Sequence, residues 1–175
     1  MERDVLSLNT RRRIYEAVCN SPGLNGRGTQ RAAATGRGET IYHLNRLIGA
    51  GLVHRERFGR EDHYFAATVP IGDRRLLGLI GSASVRRVLV ALVQRSHQSV
   101  SDLKAQTCLS GGRLSIHLGR LVMIGVVRAS RERHGKTFEV VDPSNVVRVL
   151  TTYRPGITDE WVERLSEAWS ELFRR

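Results

Sequence analysis

The stretch that decides the fold is IYHLNRLIGAGLV at residues 41–53, with a looser counterpart in LSIHLGRLVMIGVV at residues 114–127. Both place residues at i, i+4 and i+7, the spacing of one buried helical face. Each then reaches a glycine, Gly51 or Gly125, at the point where a helix ends in a left-handed residue. The predicted inward positions are Thr40, which directly precedes the first stretch, with Leu44 and Leu47, and Leu114, Leu118 and Leu121 in the second stretch.

Beyond each glycine the apolar period changes from helical to alternating. Residues 52–66 and 126–141 both have β-forming residues on either side of a tip made of glycine and charged residues. This pattern is typical of a β-hairpin. The sequence therefore predicts a long helix followed by a hairpin, twice.

The two stretches belong to a longer internal repeat with an offset of 74 positions. His43-Leu44 recurs as His117-Leu118, and Arg12-Arg13-Ile14 recurs as Arg86-Arg87-Val88. A shorter helix precedes the long one, and another helix precedes that. Each copy is thus a unit of roughly 70 residues with the order helix, short helix, long helix, hairpin.

The first copy departs from this pattern in NGRGTQRAAATGRGET, residues 25–40, where Thr29 stands at the position of Leu103. Alanines and glycines leave the segment with little apolar volume. We expect this short helix to be loosely packed, or shifted by a residue or two.

The order and the residues resemble the winged helix-turn-helix of ArsR/MarR-type transcriptional regulators. IYHLNRLIGAGLV resembles their recognition-helix-to-wing segment, and SVSDLKAQTCLSGGRLSIHL at 99–118 resembles their helix-turn-helix. The resemblance covers residues 8–67 and 82–141, and tandem arrangements of this kind resemble a class of prokaryotic, especially archaeal, regulators. It implies a mainly α fold with small β-hairpins. The expected domains are a first winged unit at 1–70, a linker helix at 71–81, a second winged unit at 82–154 and a C-terminal helix at 155–175.

The charge of the chain predicts a polyanionic partner. Lys plus Arg is 28 against 17 for Asp plus Glu, a formal net charge of +11 with a pI near 11.0. All the basic residues except Lys104 and Lys136 are arginines, whose planar guanidinium grips phosphate oxygens in pairs. A GC-rich genome also explains an arginine bias, but it does not explain the net charge.

The expected partner is double-stranded DNA, with the long helix of each unit in a major groove and each hairpin on the adjacent backbone. The residues expected at the groove are Arg37, Tyr42, Arg46, Arg113, Ser115 and Arg120. Those expected on the backbone are Arg57, Arg60, Arg131, Arg133 and Lys136.

Other chemistries have little support. The two cysteines, Cys19 and Cys108, lie 89 positions apart, which predicts no disulfide framework. Neither they nor His43 and His117 have metal-ligand spacing, and the nucleotide-binding and hydrolase motifs are absent. We expect no enzyme, no cofactor, no metal and no small-molecule substrate.

The C-terminal segment predicts an amphipathic helix with one apolar face. This face either covers the core of the second unit or forms a homodimer interface, and we favour the dimer because aromatic residues are common at interface centres. The residues of this apolar face are Trp161, Leu165, Trp169 and Leu172.

The chain has no apolar run of membrane-spanning length and no signal-peptide pattern at its N-terminus, so a cytoplasmic, nucleoid-associated protein is expected.

The favoured function is a DNA-binding transcriptional regulator that occupies promoter DNA. The alternative is an architectural chromatin protein that binds DNA with little sequence preference, which the same charge supports. A protein-interaction module is a third hypothesis, and the charge argues against it.

Overall fold

The computed structural model describes residues 5–132 and 135–153. The chain divides into two compact units, Met1–Gly78 and Leu79–Arg175. The described part is mixed α and β, with helices and small antiparallel sheets in both units. No single helix in these residues is long and apolar enough to cross a membrane.

The elements of the first unit come in the order helix, short strand, two helices and hairpin, followed by a helix that runs across the boundary between the units. They are α1 (Asn9–Asn20), β1 (Leu24–Asn25), α2 (Gly26–Ala33), α3 (Arg37–Gly49), β2 (Val53–Phe58), β3 (Glu61–Ala66) and α4 (Ile71–Ile80).

The second unit has the same order, and its elements from α5 to β6 each begin 74 positions after their counterparts in the first unit. They are α5 (Ala83–Gln94), β4 (Gln98–Ser99), α6 (Val100–Thr107), α7 (Gly111–Met123), β5 (Val127–Glu132), β6 (Gly135–Val140) and α8 (Pro143–Thr152).

Each unit contains one three-stranded antiparallel sheet, in the order β1-β3-β2 in the first and β4-β6-β5 in the second. The short strand before the second helix pairs with the far strand of the hairpin, Leu24 opposite Tyr64 and Gln98 opposite Phe138. The sheet therefore ties the hairpin to the start of the helix pair.

The cores use the same positions of the two units. Helical periodicity predicts the pairs on helices, because residues at i, i+3, i+4 and i+7 share one face, and two further pairs lie on the hairpin strands. The buried pairs are Ile14 and Val88, Ala17 and Ala91, Val18 and Leu92, Leu44 and Leu118, Leu47 and Leu121, Val53 and Val127, and Tyr64 and Phe138.

The short helix of the first unit is neither shifted nor left without a packed face, which corrects our expectation for residues 25–40. It begins after Asn25, whose side chain accepts from the Gly28 N–H at 2.8 Å. Thr29 is fully buried and donates its hydroxyl proton to the Asn25 carbonyl at 3.1 Å. A threonine whose hydroxyl is bonded within its own helix can present its methyl group to the core. The small residues of α2 are therefore sufficient to give this helix a buried face.

Arg13 on α1 holds the other end of α2. Its guanidinium donates to the carbonyls of Ala33 and Ala34, which are left free at the helix C-terminus, where a cation is also favoured. Ala34 has a left-handed φ of 49°, and Cys108, at the same place after α6, has 55°.

Candidate nucleic-acid interface

The long helices α3 and α7 each turn one face to the core and the other to solvent. At the start of α7 the Ser110 hydroxyl caps the helix by accepting from the Arg113 N–H at 3.4 Å. At the start of α3 the Glu39 carboxylate accepts from the Gly36 N–H at 3.4 Å, and the Thr40 hydroxyl donates to the Gly36 carbonyl at 2.8 Å. The inward residues predicted from the sequence are all buried. The six residues expected at the groove, Arg37, Tyr42, Arg46, Arg113, Ser115 and Arg120, are all exposed.

The centre of the outward face of α7 is apolar. Ile116 is two residues from Leu114 and from Leu118, so it points away from the buried face, and it is 59% exposed. Arg113 and Arg120 lie three residues before it and four residues after it, one helical turn to each side. Ile116 is thus an exposed apolar residue with one arginine a helical turn before it and another a turn after it.

Tyr42 occupies the same position on α3, 74 residues earlier, and is 58% exposed. Its ring packs edge-on against the His43 ring, with centroids 5.0 Å apart. Arg46 lies one turn after it, as Arg120 lies one turn after Ile116. Ile41, beside Tyr42, is also exposed.

The starts of α2 and α3 face a shared cavity of about 310 Å³ in the first unit. Arg27 and Arg37, each near a helix N-terminus, contribute positive charge to it, and N–H groups at a helix start also favour anions. Glu61 and Asp62 of the hairpin also line it, and the Glu61 carboxylate accepts from the Asn25 side-chain N–H at 3.1 Å beside the start of α2. The arginines of the cleft come from the helices and its carboxylates from the wing.

The first hairpin is electrically balanced. In β2, its turn and β3, three arginines stand with three carboxylates. Arg57 is opposite Asp62 across the ladder, and the two side chains lie 4.0 Å apart. Arg60 is exposed in the turn.

The second hairpin is balanced at its base only. There Arg128 faces Glu139 at 3.4 Å. Near the tip, Arg131 is opposite Lys136, and both are exposed. The Lys136 ammonium lies 5.4 Å from the centre of the Phe138 ring. In the sequence of this hairpin four basic residues, Arg128, Arg131, Arg133 and Lys136, stand with two carboxylates, Glu132 and Glu139, so the second wing has an excess of positive charge.

The two equivalent histidines both have a pKa below the ordinary histidine value. Burial, and then the charge of Arg11, lowers the pKa of His43, whose Nδ1 accepts from the Arg11 Nε–H at 3.5 Å. Burial lowers the pKa of His117, and Arg120 and Arg113 lower it further. Neither ring nitrogen of His117 has a hydrogen-bond partner among the described residues. Within those same residues no three His, Cys, Asp or Glu side chains form a group that could hold a metal.

Sequence reasoning missed Ile41, Ile116 and Arg27. The helical spacing contains the signal for Ile116, since a residue two positions from Leu114 and Leu118 must face outward, but an outward isoleucine is easily taken for a chance exposure. Arg27 lines the cleft only because the short strand β1 places the start of α2 beside β3.

Five of the predicted site residues lie outside the residues that the structure describes. They are Arg133 of the second wing and the four residues of the proposed dimer face, Trp161, Leu165, Trp169 and Leu172.

Residues 8–77 match a family model described as an N-terminal HTH domain, of the HVO_0163 type. The match begins just before α1 and ends within α4. No curated protein matches the chain. Together with the exposed arginines of α3, the match supports a helix-turn-helix DNA-binding protein.

Proposed function

We propose that the chain is a tandem winged helix-turn-helix protein that regulates transcription by occupying duplex DNA. One observation carries this proposal: the elements from α1 to β3 recur 74 positions later, and Arg46 and Arg120 keep the same outward place on α3 and α7. The family model covers the first unit only. The second unit is included in the proposal because its elements follow the same order as those of the first unit and its buried residues occupy the equivalent positions.

The two units are expected to contact DNA through different elements. In the first unit the helices present the exposed arginines Arg27, Arg37 and Arg46, while the arginines and carboxylates of its wing are equal in number. In the second unit the wing tip is the strongly basic element. We infer that the first unit grips through α2 and α3, and that the second adds a backbone contact from Arg131 and Lys136.

An architectural role, with the protein coating DNA as a nucleoid component, is the second candidate. The excess positive charge of the second wing favours it, because phosphate contacts carry no sequence information. The outward faces of α3 and α7 favour the regulator, because side chains placed to reach base edges are of no use to a protein that reads only backbone.

A salt titration of DNA binding separates these candidates. A preferred duplex is selected from a random pool with the full-length protein, and fluorescence anisotropy then compares it with a random duplex at several salt concentrations. A regulator should bind its preferred site about a thousandfold or more tightly than random DNA. A ratio near one with a steep salt slope would establish the architectural role, and no binding at low salt would contradict both.

We also propose that the chain forms a homodimer through its C-terminal segment, where the sequence places Trp161 and Trp169 on one predicted helical face. Aromatic residues are enriched at interface centres. Sedimentation equilibrium should give a dimer for the parent chain and a monomer for the Trp161→Ala, Trp169→Ala variant. A parent that stays monomeric across the concentration range would contradict this proposal.

A further inference from the structure

The outermost ridge of α7 is uncharged along its whole length. Gly112, Ile116, Gly119 and Met123 lie on the side opposite the buried leucines, and Ile116 and Met123 are 59% and 78% exposed. A Cβ built on Gly112 or Gly119 would meet no atom within 4 Å. The helix can therefore approach a partner closely around Ile116.

The chemistry of this ridge limits what it can recognise. Ile116 has no side-chain hydrogen-bond donor or acceptor, so it cannot read the polar edges of bases. In the major groove the one apolar feature of a base pair is the C5-methyl group of thymine. Arg113 and Arg120, one turn away on each side, are placed to engage phosphates or guanine edges around that methyl group.

The first unit has an aromatic side chain at the same place, with Glu39 at the position of Arg113 and Arg46 at the position of Arg120. Tyr42 stands at the position of Ile116, exposed and followed one turn later by Arg46. A single exposed apolar side chain is ordinary on a protein surface. Its recurrence at the same place in both units, beside an arginine each time, indicates a shared use.

We propose that Tyr42 and Ile116 are specificity-determining residues that contact thymine methyl groups in the major groove, so that the protein prefers duplexes with thymine at those steps. This inference rests on the proposed function, because it names the DNA chemistry that the same faces recognise. A protein partner that covers the two faces is the competing occupant. The arginines beside the two faces, Arg46, Arg113 and Arg120, and the net charge of +11 favour DNA.

The test removes the methyl groups and changes no base-pair hydrogen bond. Anisotropy compares the full chain on an alternating A·T duplex and on an A·U duplex of equal length, at one salt concentration. The parent should bind the thymine duplex about fourfold more tightly for each methyl group in contact. It should also bind an alternating G·C duplex more tightly when the cytosines carry a 5-methyl group, since this arm needs no variant protein.

Three variants assign the effect to residues. Tyr42→Ala and Ile116→Ala should each lower the ratio of thymine to uracil affinity, and the double variant should bring it close to one. Ile71→Ala is the matched control, because Ile71 begins α4, is 77% exposed and lies on neither long helix. It should keep the ratio of the parent.

The outcomes separate this inference from the function on which it rests. Equal binding of the thymine and uracil duplexes by the parent overturns the methyl contact and leaves DNA binding intact. A parental ratio that survives the double variant also overturns it, because the effect then comes from the shape of the duplex. No binding to any duplex at low salt overturns both.

Discussion

Arg131 lies directly opposite Lys136 across the second hairpin, whereas the equivalent residues of the first hairpin, Arg57 and Asp62, are an ion pair. Like charges facing each other across a ladder destabilise a sheet, and opposite charges stabilise it. The second wing therefore holds an arrangement that costs folding free energy, and a bound polyanion would offset that cost. The two wings, although built on the same pattern, are predicted to differ in their contribution to DNA binding.

Replacing Arg131 and Lys136 by alanine should weaken binding about equally for all duplex sequences. The contacts that are lost go to phosphates, so the log–log salt slope should shrink by about one for each contact. The variant should unfold at the same urea concentration as the parent or slightly above it, because about 0.2–1 kcal/mol of cross-strand repulsion is removed. Salt-dependent anisotropy and urea unfolding measure the two effects.

The control for this experiment is Arg57→Ala in the first wing. Its partner Asp62 already neutralises it in part, so its effect on the salt slope should be smaller. If the Arg131 and Lys136 variant binds with the affinity and slope of the parent, the second wing does not contact DNA.

Changing Arg113 and Arg120 to alanine should instead reduce discrimination between the preferred and the random duplex. A bidentate arginine contact to a base contributes about 1–3 kcal/mol of discrimination. Both side chains are exposed outside the buried leucine face, so the fold should survive. Arg75→Ala, which removes one exposed arginine of α4 and so serves as a control for each single replacement, should leave the discrimination unchanged. Equal discrimination by the parent and the double variant would remove α7 from base reading.

The sequence was sufficient for the features that depend on local periodicity. The leucine spacing and the closing glycines predict α3 and α7, and Gly51 and Gly125 do have left-handed φ values of 72° and 76°. The charge pairing in the wings was not predictable, because it depends on the register of the hairpin, which a shift of one residue would change. The packing of α2 was not predictable for another reason: apolar volume does not reveal that the Thr29 hydroxyl bonds to the Asn25 carbonyl within its own helix.

A buried ion pair joins α4 to the first hairpin and should govern the stability of the first unit. Arg74 is 9% exposed, donates to a Glu56 carboxylate oxygen at 3.0 Å and also donates to the Val69 carbonyl at 3.1 Å. Glu56→Ala leaves the guanidinium buried without its counter-charge and should cost about 3 kcal/mol of unfolding free energy. Arg74→Met should cost less, because the remaining Glu56 is partly exposed and can be hydrated.

Urea unfolding followed by circular dichroism measures these losses. Glu16→Ala breaks the exposed Arg12–Glu16 pair, in which the atoms lie 4.0 Å apart, and should cost less than about 0.5 kcal/mol. A loss for Glu56→Ala no larger than that of this control would show that the buried pair does not stabilise the unit.

His117 should make the stability of the second unit fall at acid pH. Burial, with Arg120 and Arg113, lowers its pKa in the folded chain, so the unfolded chain takes up the proton first. Its contribution is complete above the ordinary histidine range near pH 6.5 and is lost progressively as the pH falls from there toward the lowered folded pKa. Urea midpoints measured from pH 8 to pH 5 should therefore decrease, and His117→Gln should flatten that decrease. Arg120→Ala should raise the pKa of His117, which an NMR titration of the imidazole proton reports directly. A folded-state pKa of His117 at or above that of an unfolded peptide would reverse the sign of the predicted pH dependence and rule out this assignment.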